Sequence, residues 1–134
     1  MYPGIINKKN ADILLVEDEI LIGWSVAQAL IKAGYGVSLV GTGEKAIEEI
    51  HSTHFDLVIT DWKLPKINGT EVASNVKRLS PDIPVIMMSA VIDEASVEAK
   101  MNPFTDIFIE KPFDLKEIVE LVNHFTGKES DKLA

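Results

Sequence analysis

The sequence contains no cysteine, which excludes a disulfide framework and thiolate chemistry and suits a reducing compartment. No apolar run approaches the roughly 20 residues of a membrane-spanning helix, and the N-terminus lacks the basic-then-apolar order of a signal peptide. Basic residues are few, because 13 Lys and Arg stand against 21 Asp and Glu, for a net charge of −8. Direct binding to nucleic acid needs clustered positive charge, so we expect none. These absences predict a cytoplasmic protein that contacts neither membrane nor nucleic acid.

The length and composition of the chain are sufficient for one folded domain. A chain of 134 residues can form a single hydrophobic core but is too short for two ordinary domains. Its apolar fraction of 46% and charged fraction of 25% are typical of globular proteins. We expect the domain to span residues 11–126, between a flexible N-terminal arm (residues 1–10) and a polar tail or linker start (residues 127–134).

Short apolar runs alternate with helical patterns along the domain. Runs typical of buried parallel strands lie at residues 12–16, 36–40, 57–61, 85–88 and 106–109. Helices are predicted over residues 19–32, after N-caps at Thr42 and Asn68, over residues 93–101, and after an N-cap at Asp114. The predicted buried positions of the helices are Trp24, Ala27, Ile31, Ala46, Ile47, Ile50, Val72, Val76, Leu79, Leu115, Ile118, Val119, Val122 and Phe125. Five βα units predict an α/β fold, with one parallel five-stranded sheet covered by helices on both faces.

Charged and hydroxyl side chains stand where the predicted strands end. Glu17 and Asp18 end the first strand, Asp61 the third, Ser89 the fourth and Lys111 the fifth. Right-handed crossovers bring these ends to one edge of the sheet, where open α/β sheets bind ligands. Three neighbouring carboxylates repel each other, by about 4 kcal/mol per pair at ~4 Å and an effective dielectric constant near 20, and a hard divalent cation removes that repulsion. The pattern predicts a site for a small oxyanion beside a carboxylate nucleophile.

Four short motifs surround these polar residues. They are Leu15-Val16-Glu17-Asp18-Glu19, Thr60-Asp61-Trp62-Lys63-Leu64-Pro65 with Asn68-Gly69, Ser89-Ala90, and Lys111-Pro112-Phe113. Each motif alone is weak, but their order and intervals together are specific. Over residues 11–125 the chain resembles the receiver domain of two-component response regulators. The resemblance implies a doubly wound, flavodoxin-like sheet with strand order 2-1-3-4-5.

The resemblance also implies roles for the polar residues. Asp61 would be the phosphoacceptor, whose carboxylate attacks a phosphohistidine of a sensor histidine kinase or phosphotransfer protein, or a small phosphodonor, and becomes an aspartyl phosphate. Lys111 and the Ser89 hydroxyl would hold the phosphoryl oxygens. Mg²⁺ or Mn²⁺ would be ligated by Asp18, by Asp61, by Glu17 through a water molecule, and by the backbone carbonyl of Lys63.

A switch is implied in the same way. Phe108, three residues before Lys111, occupies the position of the family's aromatic switch. Movement of Ser89 toward the phosphoryl group would turn Phe108 inward and remodel the surface formed by the fourth helix, fifth strand and fifth helix. This surface would signal to an output domain or partner protein, and it could also form a homodimer. Such a protein is a phosphoacceptor signalling domain that promotes its own phosphorylation and dephosphorylation, not an enzyme with a separate substrate.

Two places depart from the family pattern. Pro103-Phe104 stands where many members have a small residue and then glycine, so the fourth helix should end by about residue 102, and Phe104 must either pack or lie exposed. Lys63 and Val91, two residues after Asp61 and Ser89, are neither acids nor amides that could orient an attacking water molecule. We therefore expect a comparatively long-lived phosphoryl group.

Two other classes of protein remain open at this point. An aspartate-nucleophile phosphatase also uses a sheet-end Asp and Mg²⁺, but it usually carries a second acid two residues later, where this chain has Lys63. A pure interaction module would keep the fold without the chemistry, which the retained polar residues argue against. The sequence also leaves open whether the chain is a stand-alone receiver or part of a longer regulator.

Overall fold

A computed structural model describes residues 11–90 and 93–127, which form five strands and five helices in strict alternation. The strands are β1 (Asp12–Val16), β2 (Gly36–Val40), β3 (Leu57–Asp61), β4 (Val85–Ser89) and β5 (Ile107–Glu110). The helices are α1 (Ile20–Lys32), α2 (Gly43–Ser52), α3 (Gly69–Leu79), α4 (Glu94–Lys100) and α5 (Leu115–Thr126). The predicted arm (residues 1–10), residues 128–134 of the predicted tail, and Val91 lie outside the described residues.

The sheet is parallel throughout, with the order β2-β1-β3-β4-β5. The α/β class and the strand order implied by the resemblance are both confirmed. All five residues of β3 are buried, as expected for a central parallel strand covered on both faces. The register pairs Val16 with Thr60 and Asp61 with Met88, so β1, β3 and β4 end at the same edge.

Two apolar layers pack on opposite faces of the sheet, because successive strand residues point to opposite sides. One layer joins the strands to α1 and α5 and includes Ile13, Leu15, Ile59, Val26, Leu30, Ile118 and Val122. The other joins them to α2 and α3 and includes Leu14, Val16, Val58, Ala46, Val72 and Val76. Among the described residues, no helix has the length and apolar character needed to cross a membrane.

Four predicted buried positions are wrong. Trp24 and Ile31 on α1 are 58% and 48% exposed, and Leu79 and Leu115 are also exposed. At 3.6 residues per turn, Trp24 and Ile31 lie on the flank of the helix, one step away from its inner stripe. That stripe consists of Gly23, Val26, Ala27 and Leu30.

The helix starts agree with the predicted caps. The side chains of Thr42, Asn68 and Asp114 each accept a hydrogen bond of 3.1 Å from a backbone N–H in the first turn of α2, α3 and α5. These bonds satisfy donors that would otherwise be unpaired at the helix start.

The observed bounds of α4 and β5 differ from the predicted ones. The helix covers Glu94–Lys100, shorter than the predicted 93–101, because Asp93 serves as its cap. Phe104, after the helix, is 37% exposed. β5 starts at Ile107, one residue later than predicted. Before it, the Asp106 carboxylate accepts the Val85 N–H at 2.8 Å, and the Asp106 N–H donates to the Val85 carbonyl at 2.9 Å.

Gly69, the first residue of α3, has no space for a side chain. A Cβ atom there would collide with the backbone carbonyl oxygen of Asp61 and lie 2.8 Å from Met87 Sδ. We predict that Gly69→Ala lowers the free energy of unfolding by roughly 1–3 kcal/mol, the usual cost of forcing extra atoms into a packed site. Gly41→Ala is the control, because a Cβ at Gly41 would meet nothing within 4 Å. Urea unfolding measures both variants, and equal stabilities would contradict the prediction.

Candidate functional site

Glu17, Asp18 and Asp61 meet at the carboxyl edge of the sheet. Each offers a carboxylate oxygen, and these oxygens lie within 4.8 Å of one another. The pairing of β1 with β3 brings them together, since Glu17 and Asp18 follow β1 and Asp61 ends β3. The Glu17 side chain is fully buried, whereas Asp18 is exposed. The structure therefore places the three predicted acids in one cluster that is open on the Asp18 side.

Lys111 reaches this cluster from the loop after β5. Its Nζ atom donates to Glu17 Oε1 at 3.1 Å and lies 3.2 Å from Asp61 Oδ2. Its backbone N–H donates to the Ser89 carbonyl at 2.8 Å, and the peptide bond to Pro112 is cis. Burial acts to lower the pKa of Lys111, but the negative charges of Asp61 and Glu17 outweigh it and raise that pKa. The ammonium group is thus charged at neutral pH.

The Asp61 carboxyl group is difficult to ionise. Burial is the main cause, and together with the charge of Glu17 it outweighs Lys111 and raises the pKa of Asp61 from 3.8 to about 7. Strongly shifted acids in a cleft are typical of functional sites. Any cation bound in the cluster would favour the ionised form of Asp61.

Removal of the negative charge of Asp61 should stabilise the folded protein. The pKa of Asp61 is about 7 in the folded protein and 3.8 ordinarily, so the folded state holds the proton more tightly than the unfolded state. The free energy of unfolding therefore falls as the pH rises from about 4 through about 7. We expect Asp61→Asn to raise the melting temperature by several degrees at pH 8 without divalent cations, and by less at pH 5. Thermal unfolding tests this, with Asp82→Asn as an exposed control. A lower melting temperature for Asp61→Asn at pH 8 would contradict the prediction.

A cavity of about 610 Å³ opens above the cluster. Its lining includes five of the predicted site residues, which are Asp18, Asp61, Lys63, Ser89 and Lys111, together with Trp62, the residue that follows Asp61. Glu17 lies buried behind this lining. The Ser89 hydroxyl donates to the Ala90 carbonyl at 3.0 Å.

Phe108 stands apart from the cavity. It is half-buried, and it packs against the apolar layer that joins the sheet to α2 and α3. In the β4–β5 register it pairs with Met87. The structure therefore brings together all of the predicted site residues except this proposed switch residue.

The loop from β3 to α3 (residues 62–68) forms one wall of the cavity. The Trp62 N–H donates to the Met88 carbonyl at 2.8 Å, and the Gly69 N–H donates to the Trp62 carbonyl at 2.7 Å. Lys66 adopts a left-handed backbone conformation with φ of 65°. The two hydrogen bonds fix Trp62 between β4 and the start of α3, and Lys63, the next residue, lines the cavity.

Asp93 and Ser96 also line the cavity, and the sequence analysis missed both. Asp93 Oδ1 accepts hydrogen bonds of 2.9 Å from the backbone N–H and from the hydroxyl of Ser96. A signal was present, because an acid three residues before a serine at a helix start has the spacing of a capping arrangement.

The sequence matches the family model described as the response regulator receiver domain over residues 13–123. The chain belongs to this family. Receiver domains are the signalling domains of two-component systems that are phosphorylated on an aspartate.

Transcriptional regulatory protein ZraR of Escherichia coli K12 is 36% identical over 111 residues, which cover 81% of this chain and 25% of ZraR. DNA-binding transcriptional regulator NtrC of a Bradyrhizobium species is 30% identical over 122 residues, which cover 91% of this chain and 25% of NtrC. The chain thus spans about a quarter of the length of these relatives.

Solved receiver structures share the fold. The CheY-like receiver domain protein of Methanospirillum hungatei superposes with a TM-score of 0.81 at 27% identity, over 89% of this chain and 95% of that one. Response regulator TrrA of Thermotoga maritima, solved in complex with Mg²⁺ and BeF, gives a TM-score of 0.75 at 30% identity, over 85% of this chain and 97% of TrrA.

Proposed function

We propose that this receiver domain is a phosphorylation switch in which Asp61 accepts a phosphoryl group from a sensor histidine kinase, a phosphotransfer protein or a small phosphodonor. The observation that carries the proposal is the position of the Lys111 ammonium, within 3.2 Å of both Glu17 and Asp61. It places a fixed positive charge beside the carboxylate that would attack. The Mg²⁺ and BeF complex of the similar protein TrrA is consistent with a cation and a phosphoryl-like group at such a site.

The donor set fits Mg²⁺ or Mn²⁺, because all of the candidate ligands are oxygens and those of the three carboxylates lie within 4.8 Å of one another. Asp18 and Asp61 would bind the ion directly, Glu17 would act through a water molecule, and Lys63 would offer its backbone carbonyl. When bound, the cation neutralises the negative charge that gathers around the transferred phosphoryl group.

The proposed transfer is an in-line displacement. A carboxylate oxygen of Asp61 attacks phosphorus, the phosphorus–nitrogen bond of the phosphohistidine breaks, and the imidazole nitrogen leaves with the electron pair and takes a proton from water. Lys111 pairs with one phosphoryl oxygen. The Ser89 hydroxyl rotates away from the Ala90 carbonyl and donates to another. Positioning and charge neutralisation supply the rate enhancement.

Ser89 and Phe108 are proposed to transmit phosphorylation of Asp61 to the protein surface. When Ser89 moves toward the phosphoryl group, Phe108 turns further into the apolar layer and changes the surface of α4, β5 and α5. α4 and the loop that follows it carry exposed apolar side chains at Val97, Met101 and Phe104, which are 44%, 77% and 37% exposed. Burial of such side chains would favour a homodimer or a partner protein once phosphorylation rearranges the surface.

Borohydride trapping tests the proposed site of modification. After incubation with acetyl phosphate and Mg²⁺, borohydride reduces an aspartyl phosphate to homoserine, which peptide mass spectrometry locates. We expect homoserine at position 61 and nowhere else, and a phosphoryl group that persists for minutes at neutral pH. Homoserine at another aspartate would refute Asp61 as the acceptor, and loss of the group within seconds would contradict the expected long lifetime.

A further inference from the structure

Three apolar side chains of α1 form an exposed row along one flank of the helix, which we call the α1 stripe. Ile20, Trp24 and Ile31 are all exposed, and at 3.6 residues per turn they lie within about 40° of one another around the helix axis. Exposed apolar residues that are scattered singly are normal, but a row of them marks a surface that another molecule can cover. The α1 stripe adds nothing to the core of its own chain, so it is available for such a contact.

The α1 stripe lies on the side of the helix that faces β2. A Cβ atom at Gly23 would lie 3.1 Å from Leu39 Cδ1, so this side of α1 packs on β2, and Leu39 is itself exposed. Ile22 and Ser25, on the other side of the helix, line a separate groove beside Pro112. The α1 stripe and Leu39 therefore form a surface apart from that groove and from the cavity of the phosphoacceptor.

β2 is the last strand of the sheet on this side. Among the described residues, it pairs only with β1. The Gly36 N–H donates to the Ala11 carbonyl, and backbone N–H groups alternate in direction along a strand, so those of Val37 and Leu39 point to the open edge. Proteins usually protect such edges with charged residues or proline, but β2 contains neither. The open edge and the α1 stripe together offer hydrogen-bonding backbone groups beside exposed apolar side chains.

The chemistry of this surface favours a second copy of the same chain. No residue of the α1 stripe or of β2 is charged, although the chain carries a net charge of −8, so two copies repel each other least if they meet here. A strand edge is also self-complementary, because a two-fold axis pairs β2 with its own copy in antiparallel fashion. The same axis brings the start of α1, which follows Asp18 and Glu19, toward Lys32 at the end of the other copy's α1.

The size of the surface also suits a dimer. A standard protein–protein interface buries about 800 Å² of each partner, and a little more than half of that area, about 450 Å², is apolar. Trp24 is more than half exposed and supplies roughly 100–150 Å². With the exposed parts of Ile20, Ile31 and Leu39, the apolar area reaches roughly 400 Å². The surface is therefore large enough for a reversible dimer.

We propose that two copies of this chain associate through β2 and the α1 stripe. β2 of one copy pairs antiparallel with β2 of the other, so the two sheets join into one, and the two α1 helices lie antiparallel on the same face. Ile20 then lies opposite Ile31 of the other copy, with the two Trp24 side chains between them. The dimer needs no phosphoryl group, and it leaves the surface of α4, β5 and α5 uncovered.

Sedimentation equilibrium of the full chain, with Mg²⁺ and without a phosphodonor, tests the dimer. We expect the mass of the wild type to rise from that of one chain to that of two, with a dissociation constant of roughly 1–100 µM. Trp24→Glu should weaken the dimer roughly tenfold or more, because a tryptophan at the centre of an interface contributes strongly and two new carboxylates would meet there. Met101→Glu is the matched control, since it puts the same acid in place of an exposed apolar residue outside this surface, and it should dimerise like the wild type.

Amide hydrogen exchange, followed by nuclear magnetic resonance, locates the interface. As the concentration of the wild type rises through the transition, exchange of the Val37 and Leu39 amides should slow roughly threefold or more, because they become hydrogen-bonded to the other copy. The Gly36 amide already donates to the Ala11 carbonyl and serves as the internal reference. Trp24→Glu at the same concentrations should show no such slowing.

Three results would overturn the proposal. The first is a wild type that stays monomeric, and slow exchange of Val37 and Leu39 at every concentration would then mean that residues 1–10 cover the surface instead. The second is a dimer that Met101→Glu disrupts and Trp24→Glu does not, which would place the interface at α4. The third is a dimer without slower exchange of the two edge amides. If circular dichroism shows that Trp24→Glu is unfolded, Ile31→Glu replaces it, with the same expected loss of the dimer.

Discussion

Lys111→Met is expected to slow the phosphorylation of Asp61 by acetyl phosphate roughly 100-fold or more at saturating Mg²⁺. The ammonium group lies 3.2 Å from Asp61 Oδ2 and 3.1 Å from Glu17 Oε1, so it is already placed where negative charge would develop. Loss of one fixed donor at such a position typically costs 10²–10³-fold in rate. Methionine keeps most of the apolar stem of lysine, so the change acts mainly on the charge.

The rate is measured by intact mass over time, after circular dichroism has shown that the variant is folded. Lys116→Met is the matched control, because Lys116 is exposed on α5 and does not line the cavity. It should react like the wild type. If Lys111→Met reacts within about twofold of the wild type, Lys111 does not stabilise the transferred group, and the proposed mechanism is wrong at that residue.

Asp18→Asn is expected to weaken Mg²⁺ binding by roughly tenfold or more. Asp18 is the exposed member of the acidic cluster, and its carboxylate oxygen lies within 4.8 Å of those of Glu17 and Asp61. Asparagine is similar in shape but carries no charge, and Mg²⁺ sites depend on one or two carboxylates. Changes even in the groups that support a metal ligand usually cost 10–100-fold in affinity.

Tryptophan fluorescence can report this binding, since Trp62 lines the cavity. The chain has two tryptophans, and the other, Trp24, is 58% exposed, so Trp24→Phe removes its background signal. Asp82→Asn, an exposed change outside the cavity lining, is the control. Equal Mg²⁺ affinities of Asp18→Asn and this control would show that Asp18 is not a ligand.

The sheet and the cluster at its edge were predictable because both depend on short-range pattern and on chain topology. A continuous apolar run indicates a buried parallel strand, and right-handed crossovers bring the strand ends to one edge of the sheet. The order of the strands along that edge was implied by the resemblance to receiver domains. That is why Glu17 and Lys111, 94 residues apart, could be assigned to one site before their 3.1 Å hydrogen bond was seen.

Other features depend on tertiary context that the pattern does not contain. Trp24 and Ile31 are apolar yet exposed, because apolar character alone does not say which neighbouring stripe of a helix faces the sheet. The direction of the Ser89 hydroxyl is a choice of rotamer, and here it points to its neighbour's carbonyl. Asp93 was missed because its helix start was placed one residue too early, which hid its role as the cap.

The most direct test of the central proposal is the intact mass of the protein after incubation with Mg²⁺ and acetyl phosphate. The wild type and Asp56→Asn, a change just before the other end of β3, should each gain one phosphoryl group, about 80 Da. Asp61→Asn should gain none. A gain in Asp61→Asn would mean that another residue is the acceptor. No gain in the wild type, with Mg²⁺ shown to be bound, would contradict the account of this receiver domain as a phosphorylation switch.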